Sequence, residues 1–234
     1  GHSGRDGGRV RVKGMTATLI ELHTPLSVRR VRSLRAGDEV ALSGTLYSMR
    51  DQASARVLRI LMERGRLPVD LAGAVVFHAG PALDKTQRQP RLVSIGPTTS
   101  ARMNLVMPKL IRLLRIRCVI GKGGMGDEVL KAMGETGCVY ASGIGGCAAL
   151  YTRAVKAVHR IVWEEMGPEA LHELEVERFG PLIITMDAQG HSLHRELAKR
   201  TGKRLEKLLA HRRRILSPAG RAASEPAMAG GGSR

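Results

Sequence analysis

Short apolar segments alternate with longer amphipathic segments along most of this chain. Three short segments are apolar almost throughout, which is typical of strands buried on both faces of a sheet: 74–78, 118–120 and 139–141. Weaker signals predict further strands at 40–47, 92–95 and 182–186. In the amphipathic segments apolar residues recur every three or four positions, which predicts helices at 51–65, 101–114, 127–133, 146–162 and 193–215. This alternation predicts an α/β fold.

The composition of the chain changes at both ends. Residues 1–14 are polar and rich in Gly and Arg, which predicts a disordered leader. The segment 195–234 predicts a basic helix and then a disordered tail, because Ala, Gly, Ser and Pro dominate from Ser217 onward. The patterned region between them, 15–194, is predicted to form one domain.

The chain has 234 residues and a formal net charge of +17, which raises the question of nucleic-acid binding. Much of this excess lies at the ends, since residues 1–14 carry +3 and residues 195–234 carry +8. Aromatic residues make up 3% of the chain, too few to supply a surface on which bases could stack. These features disfavour nucleic acid as a partner, although a basic tail could bind RNA or an acidic protein weakly.

Neither a membrane span nor an export signal is visible in the pattern. No apolar run approaches the ~20 residues that cross a bilayer, and the N-terminal segment lacks the apolar region of a secretory signal. The cysteines, Cys118, Cys138 and Cys147, are odd in number and form no CxxC pair, which fits a reducing compartment. We therefore expect a cytoplasmic protein with no membrane partner. The cysteines are interpreted as small buried residues, and ligation of an iron–sulfur cluster by them is the disfavoured alternative.

Two loops carry candidate binding groups. Residues 96–103 read Gly-Pro-Thr-Thr-Ser-Ala-Arg-Met, and free main-chain N–H groups at the start of the helix predicted there would favour an anion. Within this loop Arg102 could hold a carboxylate through two parallel hydrogen bonds. Residues 121–126 read Gly-Lys-Gly-Gly-Met-Gly, and their glycines let a ligand approach the main chain beside Lys122. Neither loop is specific alone, since ordinary turns and helix caps contain the same residues.

A third cation, Arg50, stands between the predicted strand 40–47 and the helix that follows it. Arg50, Arg102 and Lys122 are thus all expected at the carboxyl ends of strands, where ligands bind in open α/β sheets. Two carboxylates entering a partly dry pocket require paired positive charge. The three cations therefore predict a site for a dianion.

Taken together, these motifs resemble the C-terminal half of class I fumarases and the separate β subunits of related hydratases, among them L(+)-tartrate dehydratase. The order Gly-Pro-Thr-Thr-Ser…Arg, then Gly-Lys-Gly-Gly-Met, is specific for that family. The matching segments cover about residues 22–194 and include Thr24-Pro25-Leu26, Leu42-Ser43-Gly44-Thr45, Arg50-Asp51, His78-Ala79-Gly80-Pro81 and Ile144-Gly145-Gly146. The resemblance implies a swivelling β/α/β domain, which is a mixed sheet with flanking helices.

The resemblance also implies the chemistry. It implies an iron–sulfur-dependent hydro-lyase that hydrates fumarate to malate, with a 4Fe-4S cluster held by an α subunit and no metal ligand in this chain. The expected assembly is a heterotetramer. Carried over by position, Thr98 would be the general base, working with an acidic residue of the partner. The expected substrate-binding residues are Arg50, Arg102, Lys122, Thr99 and Gly123.

The substrate and two positions stay open at this point. L(+)-tartrate dehydratase, or another dehydratase of 2-hydroxy-dicarboxylates, would use the same binding groups as a fumarate hydratase. A non-catalytic module that binds anions or nucleic acid is the alternative from a different class. Ser54 stands where the family commonly has a His after the Arg-Asp pair, and His191 follows Gly190 where an Asn is common.

Overall fold

The structure is a computed structural model that describes residues 19–84, 86 and 90–216. The predicted leader, 1–14, and the predicted tail, 217–234, lie outside the described residues. Two compact units divide the chain, Gly1–His194 and Arg195–Arg234. Among the described residues, no helix has the length and apolar character that crossing a membrane requires.

Strands and helices alternate along the first unit, as the pattern predicts. Their order is β1 (Ile20–His23), α1 (Val28–Ser33), β2 (Glu39–Ser48), α2 (Asp51–Met62), β3 (Val75–Phe77), β4 (Ala82–Asp84), β5 (Arg91–Ser94), a 3-10 turn (Ser100–Met103), α3 (Met107–Leu114), β6 (Cys118–Gly121), α4 (Asp127–Thr136), β7 (Val139–Ser142), α5 (Ala148–Ala154), β8 (Val155–Val162), a second 3-10 turn (Glu164–Glu169) and β9 (Leu171–Met186). Helix α6 (Leu193–Leu216) follows.

The main sheet is mixed, and its strand order is β1-β2-β3-β6-β7-β9-β8. The first five strands of that order run parallel, whereas β9 is antiparallel to each of its partners. Because the 16-residue β9 pairs with both β7 and β2, the strands β2, β3, β6, β7 and β9 form a continuous ring. The expected α/β class, a mixed sheet with flanking helices, is confirmed.

Alternate residues of the central strands enter two different apolar clusters, because successive side chains of a strand point to opposite faces. Val76, Val119 and Tyr140 belong to the cluster that α2, α3 and α4 cover. Their neighbours belong to the other cluster: Val75, Phe77, Cys118, Ile120, Val139 and Ala141. Burial on both faces explains why these strands are continuous apolar runs in the sequence.

The prediction of one helix over 146–162 is wrong. Helix α5 ends at Ala154, and the remaining residues form β8, which pairs antiparallel with β9. Apolar residues three and four positions apart in this segment suit a helix. Main-chain hydrogen bonds to the N-terminal half of β9 favour a strand instead. The predicted strand 182–186 is, correspondingly, only the last part of β9. The short elements β1 and α1 were not predicted.

Candidate functional site

Arg50 follows β2 and occupies the N-cap position of α2. Its Nε lies 2.7 Å from Glu169 Oε1 and 3.5 Å from Asp51 Oδ2. Glu169 ends the second 3-10 turn, and its other carboxylate oxygen accepts a hydrogen bond from the main-chain N–H of Gln52 at 3.1 Å. Glu169 therefore supplies a capping acceptor for α2. The same side chain holds Arg50 at the carboxyl end of β2.

Arg102 reaches the same carboxylate from another part of the fold. Its Nε donates to Asp51 Oδ1 at 3.0 Å, and its Nη2 lies 2.7 Å from Asp51 Oδ2. Asp51 thus contacts both Arg50 and Arg102, and it brings together two cations that are 52 positions apart in the chain. The Arg102 side chain is 49% exposed, so one side of its guanidinium group faces solvent.

Lys122 lies on the neighbouring loop, directly after β6. The main chain of Lys122 is hydrogen-bonded to the loop that carries Thr98, as in a pair of neighbouring strands. Lys122 N–H donates to Thr98 O at 3.0 Å, and Ser100 N–H donates to Lys122 O at 3.1 Å. Lys122, Thr99 and Gly123 are exposed, and Gly123 has a φ of +73° that an L side chain rarely adopts. All the predicted site residues therefore lie on loops that meet at one edge of the sheet.

Two details of the predicted site are wrong. Arg102 does not follow a strand of the main sheet, because β5 pairs only with β4 in a separate two-stranded sheet. The expected helix start with a hydroxyl cap is instead the four-residue 3-10 turn Ser100–Met103, and Thr99 makes no side-chain cap there. The Ser100 side chain points inward and is fully buried. Anion binding at this loop must therefore depend on the side chains, not on a helix N-terminus.

Thr98 is half-buried between two main-chain partners. Its N–H donates to His78 O at 2.7 Å, and its carbonyl oxygen accepts from Lys122. Below it, the His78 ring is wholly buried, and its Nδ1 lies 2.8 Å from Ser100 Oγ. Burial lowers the pKa of His78 to about 3, and the nearby Asp51 carboxylate only partly opposes this shift. The ring is thus neutral at physiological pH.

The roles of Glu169, Ser100 and Tyr140 are not apparent from the sequence. Glu169 carries no local signal, because its contact with Arg50 spans 119 positions of the chain. Tyr140 reads as one more apolar strand residue, yet its hydroxyl lies 2.9 Å from Ser100 Oγ. Ser100 is the last residue of the Gly-Pro-Thr-Thr-Ser motif, but in the sequence it is typical of a helix cap and gives no sign of a buried hydrogen-bond acceptor.

The two positions that depart from the family pattern have different surroundings. Ser54 is fully buried in the first turns of α2, and its hydroxyl has no hydrogen-bond partner among the described residues. His191 is largely exposed, and its Nδ1 lies 3.0 Å from the buried carboxylate of Asp187. Burial opposes ionisation of Asp187, but the main-chain N–H groups of His191, Ala36 and Gln189 outweigh it and lower its pKa. Asp187 and His191 therefore organise a turn.

The cysteines do not fit an iron–sulfur site. Cys118 and Cys138 are fully buried near the starts of β6 and β7, whereas Cys147 is half-buried beyond the other end of β7. Burial raises the pKa of Cys118 to about 12 and that of Cys138 well above its usual value, so both are protonated thiols in the metal-free chain. Within the described ranges, no group of three His, Cys, Asp or Glu side chains could hold a metal ion.

Comparison with known proteins identifies the family of the chain. The sequence model of the family described as "Fumarase C-terminus" matches residues 7–197. The chain belongs to this fumarase C-terminal family. It is 43% identical to "Putative L(+)-tartrate dehydratase subunit beta" of Methanocaldococcus jannaschii over 186 residues, which are 79% of this chain and 95% of that protein.

Two further relatives show how the family is distributed over chains. Identity is 33% over 189 residues with "L(+)-tartrate dehydratase subunit beta" of Escherichia coli (strain K12), covering 80% of this chain and 92% of that protein. Identity is 36% over 201 residues with "Putative fumarate hydratase class I" of Geobacillus stearothermophilus. That match covers 85% of this chain but 37% of the longer relative.

Proposed function

We propose that this chain is the β subunit of an iron–sulfur-dependent hydro-lyase that reversibly hydrates fumarate to malate. The observation that carries the proposal is the contact of Arg50 and Arg102 with one carboxylate, that of Asp51, next to the loop of Lys122. Family membership and the names of the relatives support the reaction class.

The charges at this edge suit a dicarboxylate. Two of the three cations already contact Asp51 or Glu169, so these five side chains together carry one net positive charge. The Arg102 side chain is 49% exposed, so a substrate carboxylate can reach its guanidinium group and compete with Asp51 for it. Full neutralisation of a dianion requires further positive charge, which we assign to the α subunit.

The same groups suit the chemical step. Removal of the proton beside a carboxylate places two negative charges on that carboxylate, and cations held in advance of the reaction stabilise them. We assign this role to Arg50, Arg102 and Lys122, with Thr99 and Gly123 at the substrate. Thr98 is proposed as the general base. A threonine hydroxyl is a poor base unless a neighbour takes its proton, and we assign that neighbour to an acidic residue of the α subunit.

The 4Fe-4S cluster is assigned to the α subunit, because the described residues of this chain do not fit it. A subunit that lacks the cluster must bind one that holds it. We propose that this chain and the α subunit assemble into a heterotetramer. Native mass spectrometry of the co-expressed complex measures this stoichiometry directly. The three free cysteines also support a reducing, cytoplasmic setting.

A second substrate is supported by the relatives. Both subunit-sized relatives are named for L(+)-tartrate dehydratase, and this chain covers 95% and 92% of their lengths. Fumarate is our first choice because its only polar groups are carboxylates, which the three cations match. Tartrate carries two hydroxyl groups, one more than malate, and each needs a hydrogen-bond partner of its own.

The decisive experiment is anaerobic co-expression of this chain with a cluster-carrying α subunit. Turnover of fumarate to malate and of tartrate to oxaloacetate is then measured with this chain present or omitted. Fumarate hydration that requires both chains is the expected result. Tartrate turnover alone would select the second substrate. Absence of both activities, despite an intact cluster and a stable complex, would overturn the proposal and favour the anion-binding module.

The role of Thr98 has its own test in that complex. We expect Thr98→Ala to lower kcat with little change in KM, because the hydroxyl acts in proton transfer, which typically contributes about 10²–10⁴-fold. Thr98→Ser keeps the hydroxyl and is the matched control, expected to retain most of the rate. An effect of Thr98→Ala confined to KM would contradict the assignment.

A further inference from the structure

Three polar side chains from different elements are hydrogen-bonded in the core beneath Thr98. His78 follows β3, Ser100 opens the 3-10 turn, and Tyr140 lies in β7. His78 Nδ1 lies 2.8 Å and the Tyr140 hydroxyl 2.9 Å from Ser100 Oγ, and all three residues are fully buried. Polar groups buried in an apolar core are costly unless they are bonded, so this chain of contacts requires an explanation.

The donors and acceptors of these three side chains indicate one arrangement of their protons. The Tyr140 hydroxyl donates to Ser100 Oγ. Ser100 has a single hydroxyl proton, which can go to His78 Nδ1. Among the described residues this arrangement leaves the Nε2 proton without an acceptor, whereas a ring proton on Nδ1 leaves both a hydroxyl proton without an acceptor and Nε2 without a donor. Ser100 is then the donor to the ring, and the ring proton of His78 sits on Nε2.

His78 and Ser100 also hold the loop that carries the proposed base. The main-chain oxygen of His78 accepts the Thr98 N–H at 2.7 Å, and the Ser100 N–H donates to Lys122 O. We propose that His78 is a positioning residue for the loop 98–102, because it accepts the Thr98 N–H at its main chain and the Ser100 hydroxyl at Nδ1. This inference rests on the function proposed above. Its consequence is that Thr98 and Arg102 keep their places relative to Lys122.

Two further observations support the assignment. A Cβ added at Gly121 would lie 1.9 Å from Ser100 Oγ and 3.1 Å from the Tyr140 hydroxyl, so this glycine leaves the space that the hydroxyl pair fills. The low pKa of His78, which burial causes, keeps the ring neutral and its Nδ1 available as an acceptor. The Nε2 atom is buried without a hydrogen-bond partner among the described residues, so the ring is fixed from its Nδ1 side.

The first test does not depend on turnover. In the full-length chain labelled with ¹⁵N-histidine, we expect an unprotonated Nδ1 and a protonated Nε2 for His78, unchanged between pH 8 and pH 5. His78→Asn assigns the signals. Ser100→Ala should shift the Nδ1 resonance, because it removes the donor, and Tyr140→Phe should shift it less. A proton on Nδ1, a titration between pH 5 and 8, or no response to Ser100→Ala would overturn the proposal.

The second test uses the complex with the α subunit and compares two amide replacements. Asn places an amide oxygen near the position of Nδ1, whereas the amide of Gln lies nearer the position of Nε2. We expect His78→Asn to keep kcat within about threefold of wild type. His78→Gln and Ser100→Ala should lower kcat about tenfold or more, since a misplacement of about 1 Å can cost 10²-fold in rate.

The pair of variants separates positioning from a merely structural role. If His78 only filled space, Asn and Gln would lower melting temperature and rate in parallel, and that result would overturn the proposal. A Ser100→Ala enzyme with the wild-type rate would also overturn it. If the wild-type complex shows no turnover while the NMR signature is present, then the proposed function fails and the hydrogen-bonded arrangement of His78 stands.

Discussion

At the scale of single residues, the candidate site depends on how two carboxylates share two arginines. Glu169 fixes Arg50 and caps α2, so it is part of the scaffold. Asp51 contacts both arginines, and the Arg102 side chain is 49% exposed whereas that of Arg50 is 22% exposed. We therefore expect Arg50 to be held rigidly and Arg102 to be the cation that exchanges its partner when substrate binds.

Removal of either exposed cation should impair the enzyme. We predict that Arg102→Ala or Lys122→Ala lowers kcat/KM of the complex by about 10², which corresponds to about 2.7 kcal/mol of lost transition-state stabilisation. Arg112→Ala is the matched control, because Arg112 pairs with Glu135 at 2.6 Å and is 36% exposed on α3. Its kcat/KM should stay within about twofold of wild type. Wild-type activity in both test variants would remove these residues from the site.

The burial of His78 predicts a particular response to acid. Its pKa is about 3 in the folded protein and 6.5 as an ordinary side chain, so the unfolded chain binds a proton in this window that the folded chain does not. Stability is therefore lost as pH falls from 6.5 toward 3, at up to about 1.4 kcal/mol per pH unit. In His78→Asn this part of the slope should disappear. Urea unfolding at pH 7, 6, 5 and 4 measures it, and parallel slopes in both proteins would contradict it.

At the scale of elements, β2 is the strand on which the candidate site depends, because Arg50 follows its last residue, Ser48, by two positions and β2 pairs with β9 along its length. Its register with β9 shifts between Leu42 and Gly44. Gly44 has a φ of +106°, and a Cβ there would lie 2.3 Å from Thr24 Oγ1. The irregularity lets the first part of β2 pair with β1 and the last part with β3.

We predict that Gly44→Ala is more destabilising than Gly37→Ala, although both glycines have a φ of +106°. A Cβ at Gly37 meets no atom within 4 Å, so that variant reports only the backbone strain of about 1–2 kcal/mol. Gly44→Ala adds the collision with Thr24 and should cost at least about 1 kcal/mol more. Free energies of unfolding in urea compare the two. Equal losses would show that the contact with Thr24 relaxes without cost.

At the scale of the whole molecule, the first unit has a core of its own. The buried apolar residues begin at Leu22 and end at Ala188, and the family match ends at residue 197. Four leucines of α6 are 45–59% exposed: Leu197, Leu205, Leu208 and Leu209. That 15–194 is a domain distinct from the basic segment stays a prediction, which truncation can test.

We predict that a chain ending at Leu197 unfolds cooperatively, with a free energy of unfolding within about 1 kcal/mol of the full-length value, because it retains every buried core residue. Circular dichroism and tryptophan fluorescence during urea unfolding measure this, since Trp163 lies in the retained part. Loss of the cooperative transition would contradict the domain boundary and would assign the basic segment a role in folding.

The residue pattern alone is enough to predict the strands that are buried on both faces and the loops of the candidate site. Strands β3, β6 and β7 are readable because every position of a strand inside a two-faced sheet must be apolar. The cations Arg50, Arg102 and Lys122 were predicted to converge, and their loops do meet at one edge. These features can be predicted from the sequence, because each strand or loop motif is recognised from neighbouring residues alone.

Three features could not be predicted from the sequence, because they depend on contacts between distant residues: β8, the partners of the arginines and the buried contacts of His78. The apolar spacing of 155–162 suits a helix, and the unpaired edge of β9 makes it a strand. Asp51 meets Arg102, Glu169 meets Arg50, and Tyr140 meets Ser100 across separations of 51, 119 and 40 positions. No short-range pattern encodes such contacts, because they exist only once the sheet has closed through β9 and has brought the loop ends together.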